Sequence, residues 1–295
     1  MDKTEGSRTA VLVCQARAVA HGRLAPGRFD DPTASALLRP DELVAVERVR
    51  SGEPPEGWGP RMEYEFLRAT AEGLVPRTVA IDDAVRKRAD PQVVILGAGL
   101  DGRAWRMPEL AGTAVFEVDH PRSQQDKRQR AAALPSPAGD VTFVPVDFTA
   151  DRLDESLKAA GYRTDLPTTW LWEGVVPYLA RAEVAATVRA LAGASAPGGR
   201  LVVHYQSPSL VASLGRPAAR AMRRLSRQPD PMAHEPWRSA WTPAAMRTLL
   251  AEHGYAVADD TDLLALAGRL TMPVRSRRSL GSGRVLIADL TGQNG

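Results

Sequence analysis

The spacing of apolar positions changes character near Pro91. Before it, apolar residues recur with a helical period. Thr9–Arg23 carries Val11, Leu12, Ala18 and Val19 on such a repeat, Asp30-Asp31-Pro32 marks a turn, and a second helix follows up to about residue 50. Residues 51–60 (SGEPPEGWGP) are crowded with glycine and proline and read as a loop. Helix resumes from Arg61 to about Arg88, with breaks expected near Gly73 and Pro76 because proline removes a helical donor.

After Pro91 the apolar stretches become short and continuous, as in parallel strands buried on both faces. Gln92–Leu96 (QVVIL), Thr113–Val118, Val141–Val146, Thr168–Trp172 (TTWLW) and Arg200–Tyr205 (RLVVHY) are five such runs. Between them lie segments of helical character around Ser123–Leu134, Asp151–Ala160 and Ala182–Ala194, which is the signature of βαβ units. Later, Thr242–His253 reads as a helix with Thr242 as N-cap and Pro243 in its first turn. Tyr255–Ala258 and Arg284–Leu290 form a last pair of strands, expected as an antiparallel hairpin at the sheet edge. The pattern predicts a doubly wound, mostly parallel, seven-stranded α/β sheet. It is preceded by a helical cap over residues 1–88, and the core over residues 89–295 carries an insertion at 207–241 near the substrate mouth.

Composition narrows the reading. Of 295 residues, 44% are hydrophobic and 25% charged, so a packed core is within reach and disorder is not expected. No run approaches the roughly 18–20 apolar residues of a membrane span, and Met1-Asp2-Lys3-Thr4-Glu5 does not open a secretory leader. A cytoplasmic protein without a membrane partner is expected. Cys14 is the only cysteine, which leaves no internal disulfide and no Cys-based zinc site. His234-Glu235 lacks the further ligands of a metal motif, so no metal is expected. The net charge of +3 is too mild to argue for nucleic acid. Arg220, Arg223, Arg224 and Arg227 fall on one face of an amphipathic segment whose other side holds Val211, Leu214 and Met222; this is either a solvated surface or an attractor of acidic partners.

The chemistry centres on Gly97-Ala98-Gly99-Leu100-Asp101, set directly between a buried strand and an expected following helix. Glycines there let the backbone turn sharply and come close to a ligand, and open α/β sheets bind ligands at the carboxyl ends of their strands. Gly102 completes a Gly-x-Gly-x-x-Gly string, and Glu117 or Asp119, both on one side of the next strand, supplies the acid that takes a ribose diol. Spacing alone therefore leaves a nicotinamide dinucleotide and an adenosyl cofactor both open.

The surrounding text separates them. Val94–Met107 (VILGAGLDGRAWRM), Phe116–Lys127 (FEVDHPRSQQDK) and Leu171–Leu179 (LWEGVVPYL), together with Arg77-Thr78, Asp82 and Asp31-Pro32-Thr33-Ala34, resemble the motifs of the leucine carboxyl methyltransferase family, in the same order, from about residue 8 to 290. The departure is Gly102, where the family usually has threonine. The resemblance implies a class I fold binding S-adenosyl-L-methionine (SAM) and methyl transfer to an oxygen of a small-molecule or peptide acceptor.

It also implies roles. Gly97, Ala98 and Gly99 pass the methionine moiety, Arg77 grips its carboxylate, and Asp119, followed by His120, takes the ribose hydroxyls. Asp147 and Phe148 meet the adenine, with a helix N-cap as the bland role for Asp147. Glu173 holds the ammonium or faces the reacting centre, and Asp101 orients the loop with Arg103. Tyr178 is read as an acceptor wall. His204, near the end of the fifth strand, is either a general base or a hydrogen-bonded structural histidine. Glu173, Tyr178 and His204 are thus the candidates at the reacting centre. Trp237 and Trp241 are either a lid or core, and the N-terminal helices are expected over the acceptor. Two rival readings stand: an NAD(P)-dependent oxidoreductase, which lacks a recognisable hydride-transfer pair near Tyr178, and a SAM-binding module without turnover.

Overall fold

The computed structural model describes residues 7–148, 150–208, 237–272, 274–275 and 277–291. Its centre is a seven-stranded sheet in the order β3-β2-β1-β4-β5-β7-β6. The strands are β1 (Gln92–Leu96), β2 (Ala114–Asp119), β3 (Asp140–Pro145), β4 (Thr168–Trp172), β5 (Arg200–Gln206), β6 (Tyr255–Asp262) and β7 (Gly283–Leu290). The first five pair in parallel, whereas β7 runs antiparallel between β5 and β6. The order reverses at β1, between β2 and β4, and such a switch point opens a crevice at the strand ends.

Alternation along each strand explains the continuous apolar runs. Val94, Leu96, Trp170, Trp172, Leu201 and Val203 join one core, while Val93, Ile95, Leu171 and Val202 join another on the opposite face. The first core is closed by α7 (Leu153–Ala159), α8 (Arg181–Gly193) and α9 (Pro243–Glu252), the second by the end of α4 (Trp58–Arg86) and by α10 (Leu263–Arg269). A third core belongs to the N-terminal helices α1 (Arg8–Ala20), α2 (Thr33–Ala36), α3 (Pro40–Ser51) and the first half of α4. Arg130 on α6 (Pro121–Ala131) binds Glu42 on α3 at 2.6 and 2.9 Å, so that α3 is tied to the β2–β3 crossover.

Several elements depart from the sequence expectation. Helix α4 starts at Trp58 and passes Gly73 and Pro76 unbroken. Proline inside a helix costs roughly 3 kcal/mol, yet Leu67, Ala71, Leu74 and Val75 are buried before it and Val79, Ile81 and Val85 after it. That burial on two cores outweighs the local cost. After the glycine loop the chain makes only the short helix α5 (Arg103–Arg106) and a 3-10 turn at Pro108–Leu110. β6 runs four residues beyond Ala258 because its acidic end is neutralised. The buried Asp260 carboxylate accepts from Arg284 Nε at 2.8 Å and from the Tyr205 hydroxyl at 3.0 Å. α11 (Arg277–Leu280) precedes β7. The arginine-rich segment at 220–227 and His234-Glu235 lie outside the described residues. Among the described residues, no helix is long and apolar enough to cross a membrane.

Candidate functional site

A cavity of about 560 Å³ opens at the switch point, over the carboxyl ends of β1, β2, β3 and β4. That volume is in the range of small-molecule and cofactor sites. Its floor is the turn after β1. Gly97 and Gly99 have φ of +66° and +49°, the left-handed region that favours glycine. A Cβ at Gly97 would meet Val175 Cγ2 at 2.5 Å, so the absent side chain lets Val175 pack against the turn.

The acid at the rim is Asp119. It ends β2, and its carboxylate accepts from Gly99 N and from His120 N, each at 2.6 Å, which fixes the carboxylate against the glycine turn. An ionised carboxylate offers about four lone-pair sites, so two remain for a diol. Its rival Glu117 lies two residues deeper, fully buried against Lys127, where burial pushes its carboxyl up to about 7 despite that lysine. Glu117 is not among the cavity-lining residues.

His120 and Asp147 stand across from each other, with His120 Nε2 4.0 Å from Asp147 Oδ2. His120 caps α6, its Nδ1 accepting from Arg122 N at 3.2 Å. Asp147 is not the cap of the next helix, which begins at Leu153 with Arg152 in the cap position. Beside Asp147, Phe148 lines the cavity with 54% of its surface exposed. An aromatic ring left in water at a cavity rim suits the face of a planar base.

On the other side of β1, Glu173 follows β4. Its carboxylate binds Arg77 Nε at 2.6 Å and Arg103 Nη1 at 2.9 Å. Burial would raise its pKa, but Arg103 and then Arg77 overcome this and hold the carboxyl well below the usual range. Glu173 is therefore an ionised group, not a base. Arg77, expected on a cofactor carboxylate, is bound through Nε to Glu173, so its Nη groups are the ones left for a ligand.

The largest correction concerns His204. It is 4% exposed, its Nδ1 has no hydrogen-bond partner, and it does not line the cavity. Burial, followed by the nearby Arg77 charge, pushes its pKa down to about 3, only partly offset by Glu173. A neutral imidazole of such low basicity is neither the general base nor the hydrogen-bonded structural residue that the sequence suggested. Tyr178 does line the cavity, in the turn Val176–Tyr178. Trp241 is a core residue, buried with the Arg181 guanidinium 4.4 Å from its ring centroid. Trp237 is half-buried.

Beyond the expected partnership of Asp101 with Arg103, sequence reasoning missed the buried ion network behind the turn. Arg103 Nε binds Asp82 Oδ1 at 2.7 Å and its Nη1 binds Asp101; Arg106 Nη1 binds Asp82 Oδ2 at 2.7 Å; Asp31 Oδ2 lies 3.5 Å from Arg106 Nε and 2.7 Å from Arg17 Nη1. The sequence offered only the side-by-side placement of these charges with family motifs. Arg238, within the segment 207–241 expected near the substrate mouth but not singled out there, lines the cavity, and its backbone N–H donates to Pro177 O at 2.6 Å.

Three comparisons bear on the arrangement. A family model described as leucine carboxyl methyltransferase matches residues 10–192, which contain every loop of the cavity floor. A Mycolicibacterium gilvum protein named "Putative S-adenosyl-L-methionine-dependent methyltransferase" is 36% identical over 201 residues, 67% of this chain and 65% of that one. The match thus spans just under two thirds of that relative's length. Among solved structures, a "putative methyltransferase" of Thermobifida fusca YX has a TM-score of 0.55 at 17% identity, covering 99% of this chain and 97% of the other. Magnesium protoporphyrin IX methyltransferase of Synechocystis PCC 6803 has a TM-score of 0.51 at 14% identity, covering 85% and 95%. These two establish likeness of fold. With the motifs on the strand ends that they were expected to occupy, the chain belongs to the leucine carboxyl methyltransferase family.

Proposed function

We propose that the protein is a SAM-dependent O-methyltransferase acting on a carboxylate or hydroxyl of a small molecule or peptide. The observation that carries this reading is the cavity itself: a left-handed glycine turn, an Asp119 carboxylate bonded to that turn, and the exposed Phe148 at one rim. The residues fit such a cofactor. Asp119 has lone pairs for a ribose diol, Phe148 and Asp147 suit an adenine, and Arg77 with Glu173 presents both signs of charge to an amino-acid group. When bound, SAM supplies a methyl group on a sulfonium sulfur. The chain's part is to hold the acceptor oxygen in line and to keep water out.

Of the two acceptor classes, a carboxylate is favoured. On the β4 side of the cavity, the described titratable residues include Arg77, Arg103, Glu173, Tyr178 and Arg238. Glu173 is locked ionised between two arginines, and His204 stands outside as a weak base. A carboxylate needs no base because it is already ionised, whereas an alcohol does.

The dinucleotide reading loses support here. Gly102 faces Thr33 instead of a ligand, and the helix that should receive a pyrophosphate is four residues long. Calorimetric titration with S-adenosylhomocysteine, the demethylated product, alongside NAD tests the proposal. Saturable binding of the product with silence toward NAD is expected; the reverse pattern overturns it.

A further inference from the structure

The N-terminal segment was expected over the acceptor, but the structure brings it against the cofactor turn. Ser7, Thr9, Ala10 and Val13 of the α1 region line the same cavity as Gly97–Asp101. A Cβ at Gly99 would come within 3.0 Å of Ala10 Cβ. Leu100, at the apex of the turn, is buried in the core of the N-terminal helices and not in either sheet core.

Polar contacts reach the same point. Arg17, on α1, donates through Nη2 to the Leu100 carbonyl and through Nη1 to Asp31 Oδ2 at 2.7 Å. Asp31 is 0% exposed, and its other oxygen accepts from the Thr33 hydroxyl at 2.7 Å and from Ala34 N at 3.1 Å. That hydroxyl occupies the space a side chain at position 102 would need: a Cβ on Gly102 would overlap Thr33 Oγ1. The φ of Gly102 is −113°, so the backbone does not require glycine there. Its absent side chain makes room for the N-terminal segment.

We propose that Arg17 and Asp31 are positioning residues for the cofactor. Through the Leu100 carbonyl and the Thr33–Gly102 contact, they hold the Gly97–Asp101 turn in its binding shape. The inference rests on the cofactor reading above. One guanidinium fork spans two acceptors here, a geometry that a lysine point charge does not reproduce.

Affinity for S-adenosylhomocysteine, measured by calorimetry beside circular dichroism, tests this. Arg17→Lys is expected to stay folded and bind about tenfold more weakly, the loss that one charge-assisted hydrogen bond brings. Gly102→Thr is expected to weaken binding by blocking Thr33, and Thr33→Ala in the same chain to restore it. That recovery is not what general destabilisation would give, and it decides the matter if Arg17→Lys does not fold. Affinity unchanged in folded Arg17→Lys or in Gly102→Thr overturns the inference alone. Silence of the unaltered chain toward the product overturns the cofactor reading and this inference together.

Discussion

Asp119 and Glu117 show how position along one strand assigns chemistry to like residues. Both are on β2 and both point to one side, so alternation does not distinguish them. Depth does: Asp119 sits at the carboxyl end where the crevice opens, while Glu117, two residues earlier, is sealed with Lys127. Asp119→Ala is accordingly expected to weaken S-adenosylhomocysteine at least tenfold, since lost charge-assisted hydrogen bonds cost about 1.5–3 kcal/mol. Calorimetry on the folded variant checks it, and an unchanged constant would remove Asp119 from the ribose role. His204 gives the opposite lesson. Its place on β5 was legible, but the surroundings that strip it of basicity come from burial and then from Arg77, far away in sequence.

At the scale of elements, legibility followed the length and isolation of the signal. β1 and β4 fall on the residues their apolar runs marked, since both faces of each strand are covered. α4 was read as broken and β6 as short because proline and aspartate are judged by local propensity, whereas here two cores and Arg284 decide. The cap of α9 was legible for the same local reason: Thr242 Oγ1 accepts from Ala245 N at 3.2 Å. Neither Thr242 nor Ala245 is among the cavity-lining residues, so this contact separates stability from binding. Thr242→Ala is expected to lower unfolding free energy by about 1 kcal/mol, as loss of such a cap does. Chemical denaturation measures that loss, and affinity for the product should stay as it was. A parallel loss of affinity would mean that α9 communicates with the cavity.

For the whole molecule, the buried charges make stability depend on pH in two opposed ways. The folded state keeps His204 neutral down to about 3, while an unfolded histidine takes up its proton near 6.5. Between those values the unfolded chain binds more protons, so this group destabilises the fold as pH falls. Glu117 acts in the other sense. Its folded pKa of about 7 lies above the model value of 4.5, so the folded state binds the extra proton in that window and is favoured by acid. Asp31 and Asp101, held low against burial by Arg17 and Arg103 respectively, contribute stability that is lost only in more acidic solution. From pH 6.5 to 5 the His204 and Glu117 effects therefore offset each other. His204→Gln removes the first, with a limiting slope of about 1.4 kcal/mol per pH unit for one proton. The variant should lose less stability on acidification than the parent, and should even gain some. Melting midpoints of both proteins across that range decide it: parallel curves would mean that His204 is charged in the folded state, and would return it to consideration as a proton carrier beside Glu173.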